Sequence, residues 1–178
     1  PPLARTGLAV VLAIAFAGVQ AGLPPLPLLG AAPVPLVSAL VIAWTVTRGV
    51  GAGALLSVPT GFLLASMSFA PLWLPPLALL GACLTAGAIR QCTQDDLLLP
   101  LVMESALAAL VYEGILYGIL RFSGAISTGL FEAVPRVLLS ALLTGALLVP
   151  VLVLLLRALP GFTAPTDDFR GGDKDERA

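Results

Sequence analysis

The sequence predicts an all-α membrane protein, a bundle of six transmembrane helices, and three observations lead there. Of 178 residues, 58 % are hydrophobic and 11 % charged, with a mean hydropathy of +1.04, whereas an ordinary soluble domain carries about a quarter charged and about 45–50 % apolar residues. The apolar residues lie in stretches close to the roughly 20 needed for one span. Proline, glycine or charge separates those stretches. At most about seven spans fit such a length, so residues 1–159 read as a single transmembrane domain and 160–178 as a polar, flexible cytoplasmic tail.

The first span runs from about Gly7 to Gly22 and stops at Leu23-Pro24-Pro25-Leu26-Pro27, where successive prolines remove backbone donors. A second follows Pro33 and Pro35 and reaches about Thr47, with Arg48-Gly49 as its exit turn. The third covers about Gly51 to Ser68, and Pro59 is expected to interrupt it. Leu72 to Ile89 forms the fourth, with Pro75-Pro76 near its start, where proline is best tolerated, and Arg90 closing it. Gln91-Cys92-Thr93-Gln94-Asp95-Asp96 reads as a polar loop before a fifth span from about Leu97 to Leu120. The sixth extends from about Val134 to Leu156, and beyond Arg157 the composition turns polar, with no core to fold against.

Orientation follows from the basic residues, which favour cytoplasmic loops. With six spans and the N-terminus inside, Arg5, Arg48, Arg90, Arg157, Arg170, Lys174 and Arg177 are cytoplasmic, and Arg121 and Arg136 are outside. Both termini are therefore expected in the cytoplasm.

Helices in lipid approach closely through small residues. Ala9, Ala13 and Ala17 recur at four-residue spacing in the first span, Gly53, Ser57, Gly61 and Ala65 in the third, and Gly114 and Gly118 form a GxxxG in the fifth. Each stripe reads either as internal packing or as a docking face for a partner's helix. Two acidic residues, Glu104 and Glu113, lie within spans, where an ionised carboxylate costs at least a few kcal/mol. Nine residues at about 100° each place them on opposite faces, which excludes a shared-proton dyad. Glu104 is within reach of the Arg48 or Arg90 end and Glu113 of Arg121 or Arg136, while Gln20 caps or hydrogen-bonds near the end of the first span.

Catalysis has little to work with. The chain contains no histidine, which excludes histidine-based triads and HExxH zinc sites. Ser57, Ser66, Ser105 and Ser140 have no basic partner at a matching depth, and Cys83 and Cys92 form neither a CxxC nor a Cys/His cluster. No enzyme, metal or cofactor is expected.

Several segments in order resemble the rod-shape-determining MreD family of the bacterial cell-wall elongation machinery. They are Pro33-Val34-Pro35, Arg48-Gly49, Gly51-Ala52-Gly53-Ala54-Leu55-Leu56, Gly61-Phe62-Leu63-Leu64, Ser68-Phe69-Ala70-Pro71-Leu72, Ala86-Gly87-Ala88-Ile89-Arg90, Tyr112-Glu113 and Val149-Pro150. The resemblance spans roughly Gly7 to Leu159; Ala65 stands where the family commonly has Asp, and Gly145 where Asn is frequent. It implies a six-helix bundle similar to the substrate-binding component of energy-coupling-factor transporters, in the bacterial inner membrane. The implied role is a non-enzymatic scaffold that binds the single-span protein MreC, plausibly as a homodimer, and couples indirectly to MreB and the wall synthases. Tyr112, Glu113 and the small-residue faces are then the expected docking positions, and Gly61→Leu or Glu113→Leu is expected to disrupt assembly.

A competing reading is a vitamin-binding subunit of an energy-coupling-factor system, whose docking face the Ala9, Ala13, Ala17 stripe resembles. Against it, a ligand pocket needs convergent polar and aromatic groups, and the chain has two Trp, two Tyr and no His.

Overall fold

A computed structural model of the chain describes residues 2–22, 35–68, 71–92, 98–125 and 129–158, and every regular element among them is helical. The proline-rich loop expected after the first span, most of the expected acidic loop and the C-terminal tail lie outside the described residues. The helices are α1 (Pro2–Gly22), α2 (Leu36–Arg48), α3 (Val50–Ser66), α4 (Leu74–Cys92), α5 (Leu98–Phe122) and α6 (Leu130–Leu142), which continues through a π-helical segment (Leu143–Leu148) into α7 (Val149–Ala158).

The shortest of the long helices is the centre of the molecule. In α2, every residue from Val37 to Val46 is buried, and the helix packs against α1, α3, α4, α5 and α7. A helix that is apolar on all sides can satisfy itself only by burial on all sides. Its start is tied to α1, where Gln20 Oε1 accepts the Val37 N–H at 3.0 Å, and Ser38 Oγ donates to Pro35 O at 2.9 Å. The first of these bonds satisfies one of the N–H groups that the start of a helix leaves without an intrahelical acceptor. The other end stops at Gly49, whose φ of +91° suits glycine, and α3 begins at the next residue.

Small residues set the distances between neighbours. An added Cβ on Gly61 would lie 2.5 Å from Pro76 Cα, so α3 and α4 touch through backbone there. Gly53 leaves room for the Thr45 side chain, and Gly87 for Val50. The Thr45 hydroxyl donates to Val41 O at 2.8 Å and lies 3.2 Å from Cys83 Sγ, making a junction of α2, α3 and α4.

Two expectations from the sequence are corrected. Pro59 does not interrupt α3, which runs unbroken from Val50 to Ser66. The proline ring sits on the exposed side beside Val58, while Ser57, Thr60 and Gly61 remain buried. A proline in that position forfeits the bond to the carbonyl four residues back, and packing of the opposite face keeps the helix in line. Gln91 and Cys92 belong to α4 rather than to a loop. Among the described residues, two helices are long and apolar enough to cross a membrane by length and composition, Leu99–Phe122 and Phe131–Ala158. With 13 and 17 residues, α2 and α3 are shorter than the roughly 20 that a perpendicular span requires.

Candidate helix-docking site

The seam between α5 and the α6–π–α7 rod concentrates the polar side chains of the interior. Ser140 Oγ donates to Glu113 Oε1 at 2.8 Å. One turn further, Thr144 Oγ1 donates to Ser140 O at 2.8 Å. Ser105 Oγ then reaches Gly145 O across the helix pair at 2.6 Å. The π segment explains the last contact: widening the helix from i→i+4 to i→i+5 bonding disturbs the carbonyl ladder, and hydroxyls from the same and the facing helix serve the affected carbonyls. Gly145 is where the two backbones meet, because an added Cβ would collide with Ser105 and Ala106 main-chain atoms. No side chain of any kind, including the amide that the resembled family frequently has there, fits at this position without separating the helices.

Tyr112 is buried in the core and Glu113 is half-buried beside it. Gly114 and Gly118 follow on the outward side of α5, both exposed, and an added Cβ at either would meet nothing within 4 Å. The contrast with Gly53, Gly61 and Gly145 is the central geometric fact of the site. Those three have neighbours filling the space that a side chain would take; Gly114 and Gly118 have none among the described residues. The two glycines leave the outward face of α5 open to close approach, while the neighbouring Glu113 carboxylate accepts from Ser140.

The remaining positions expected to take part in docking or packing lie elsewhere. Ala13 and Ala17 are buried within the bundle, and Ala9 is in α1 with its side chain outside the described set. Ser57 is fully buried with its hydroxyl donating to Ala54 O at 2.8 Å. Gly53 and Gly61 are likewise interior. These faces of α1 and α3 hold the chain's own helices together, so Gly61→Leu would test folding rather than assembly.

Glu104 is 4 % exposed, and its Oε1 has no hydrogen-bond partner. Arg90 of α4 acts on it electrostatically. At the end of α2, the Arg48 guanidinium lies 5.9 Å from the centre of the Trp44 ring. Among the described residues, no group of three or more His, Cys, Asp or Glu is placed to hold a metal ion.

Sequence reasoning missed the Ser140–Glu113 bond. The signal was present: Glu113 precedes Ser123 by ten residues and Ser140 follows Gly129 by eleven, so a hairpin turning between Ser123 and Gly129 brings the two to one level. Comparison with known proteins finds no matching family model, curated protein or solved structure.

Proposed function

We propose that the chain is a non-enzymatic membrane scaffold of the bacterial cell-wall elongation machinery, a six-span bundle in the inner membrane that receives the transmembrane helix of an MreC-type partner. The observation that carries this reading is the open Gly114–Gly118 strip beside Glu113. Glycine in a helix interior costs about 0.8–1.0 kcal/mol relative to alanine, and no close packing among the described residues offsets that cost at these two positions. A partner backbone approaching at small-residue distance does so. The order of short motifs shared with the MreD family supports the identity of the partner.

Immersion in lipid is supported by the outer surface. Large apolar side chains such as Leu55, Phe62, Leu84, Met103, Leu138 and Leu154 are exposed on α3, α4, α5, α6 and α7. So many on a small protein would be a liability in water. Two helices among the described residues have the length and composition to span; in the six-span reading the bilayer thins locally around the shorter helices.

Co-expression with its MreC and native mass spectrometry of the detergent-extracted material tests the proposal. The expected result is a complex with equal copies of each chain, lost on Gly114→Leu or Gly118→Leu while the bundle still elutes as a folded species. A complex indifferent to both substitutions removes the α5 strip from the model of docking. A monomer that ignores MreC and retains a vitamin-sized ligand replaces the scaffold reading by the transporter reading.

A further inference from the structure

We infer that Glu104 is a proton-holding carboxylic acid buried between helices and, among the described residues, the one that a hydrophobic carbodiimide modifies. The inference rests on the membrane reading above but not on the partner. Burial of Glu104 is almost complete and Oε1 has no donor. Nearby hydroxyls are engaged elsewhere: Ser105 donates to Leu101 O and Gly145 O, Thr47 to Ala43 O, Thr144 to Ser140 O, and Ser140 to the Glu113 carboxylate. Arg90 attracts the carboxyl through space but is itself exposed, where solvent weakens the field of a cation. An anion with an unpaired oxygen in an apolar interior is the costliest arrangement available to a carboxyl group. A proton removes the charge, and an unpaired neutral carboxyl group costs far less to bury than an unpaired anion. Glu113 differs in having the Ser140 hydroxyl on its Oε1.

Dicyclohexylcarbodiimide reads this state directly. The carboxyl O–H adds across one C=N bond: the proton goes to nitrogen, and the oxygen bonds to the central carbon. The acyl group of the resulting O-acylisourea then migrates to the neighbouring nitrogen, giving a stable N-acylurea that contains every atom of both reactants. A site closed to water favours migration over hydrolysis.

The test uses the full chain in native membranes, treated in parallel with dicyclohexylcarbodiimide and with a charged, water-soluble carbodiimide, followed by peptide mass spectrometry. The expected result is an adduct on Glu104 with the hydrophobic reagent alone, lost in Glu104→Gln. Labelling of the same peptide after denaturation in acid shows that the peptide is detected. Three outcomes overturn the inference: no adduct on Glu104 in the native protein, equal labelling by the charged reagent, or labelling that appears only in Arg90→Gln, which would show an ionised carboxylate held by that arginine. A chain recovered in the soluble fraction instead sinks the membrane reading before any label is read.

Discussion

The same substitution, glycine to alanine, has opposite expected signs at two places in this chain. At Gly145 a methyl group meets the Ala106 and Ser105 backbone, which cannot rotate aside as a side chain can, so Gly145→Ala destabilises by about 1–3 kcal/mol, the usual range for overpacking. At Gly114, open on the outer side of α5, Gly114→Ala removes backbone freedom from the unfolded chain and stabilises the isolated protein by about 0.5–1 kcal/mol. Chemical unfolding in detergent, followed by circular dichroism, reads both. A destabilised Gly114→Ala would mean that the strip is already filled. Gln20 gives a third case, since its side chain serves the Val37 N–H; Gln20→Leu is expected to lose about 0.5–1.5 kcal/mol, the net worth of one such bond. The sequence marked Gln20 as a helix-end hydrogen bonder because it was polar beside a proline break. It did not mark Ser105 or Ser140, because a hydroxyl in an apolar run is ordinarily spent on its own helix, and only the pairing of α5 with α6 distinguishes these two.

At the level of elements, proline and glycine breaks were the readable signals, and they located the helices well. The helix expected to follow Pro35 and reach about Thr47 runs from Leu36 to Arg48. Two features were hidden for physical reasons. Pro59 is a strong breaker by local chemistry, yet its helix is continuous, since tertiary packing of the buried face outweighs one lost bond. The π segment is invisible to hydropathy because one extra residue leaves the run just as apolar. A π segment behaves as a one-residue insertion absorbed locally, which predicts an asymmetric response to length changes. Deleting Ala146 restores α-helical winding and leaves Val149, Val153 and Leu156 facing the core, at the cost of the Ser105–Gly145 bond. Inserting one alanine between Leu148 and Val149 instead turns those three buried residues by about 100°. The deletion variant is expected to elute as a monodisperse species with lowered thermal stability, and the insertion variant to aggregate. Equal behaviour of the two would show that the segment does not act as a local insertion.

For the whole molecule, the close approaches fix which helix ends lie together. Gly53 against Thr45, Gly61 against Pro76, Gly81 against Ile115 and Ser105 with Gly145 are each pairs from consecutive elements. With the single-residue link at Gly49, they make α2 through α7 an up-and-down series. Arg48, Arg90 and Arg157, near the C-terminal ends of α2, α4 and α7, therefore lie at one end of the bundle, and the turn after α5 at Ser123-Gly124 lies at the other. Charge asymmetry of this kind orients a membrane protein with its basic end in the cytoplasm, so the proposed topology makes a prediction that length and composition alone do not. In a Cys92→Ser background, with the buried Cys83 unreactive, a membrane-impermeant maleimide added to spheroplasts should label Ser123→Cys. Gln91→Cys and Arg157→Cys, both at exposed helix positions, should label only after permeabilisation. If Ser123→Cys and Arg157→Cys report from the same side, the bundle does not cross the bilayer as a unit, and the six-span reading fails even though the helices are correctly placed. If all three label without permeabilisation in a chain that pellets with membranes, the helices lie along the surface and the apolar exterior must be covered by something other than lipid tails.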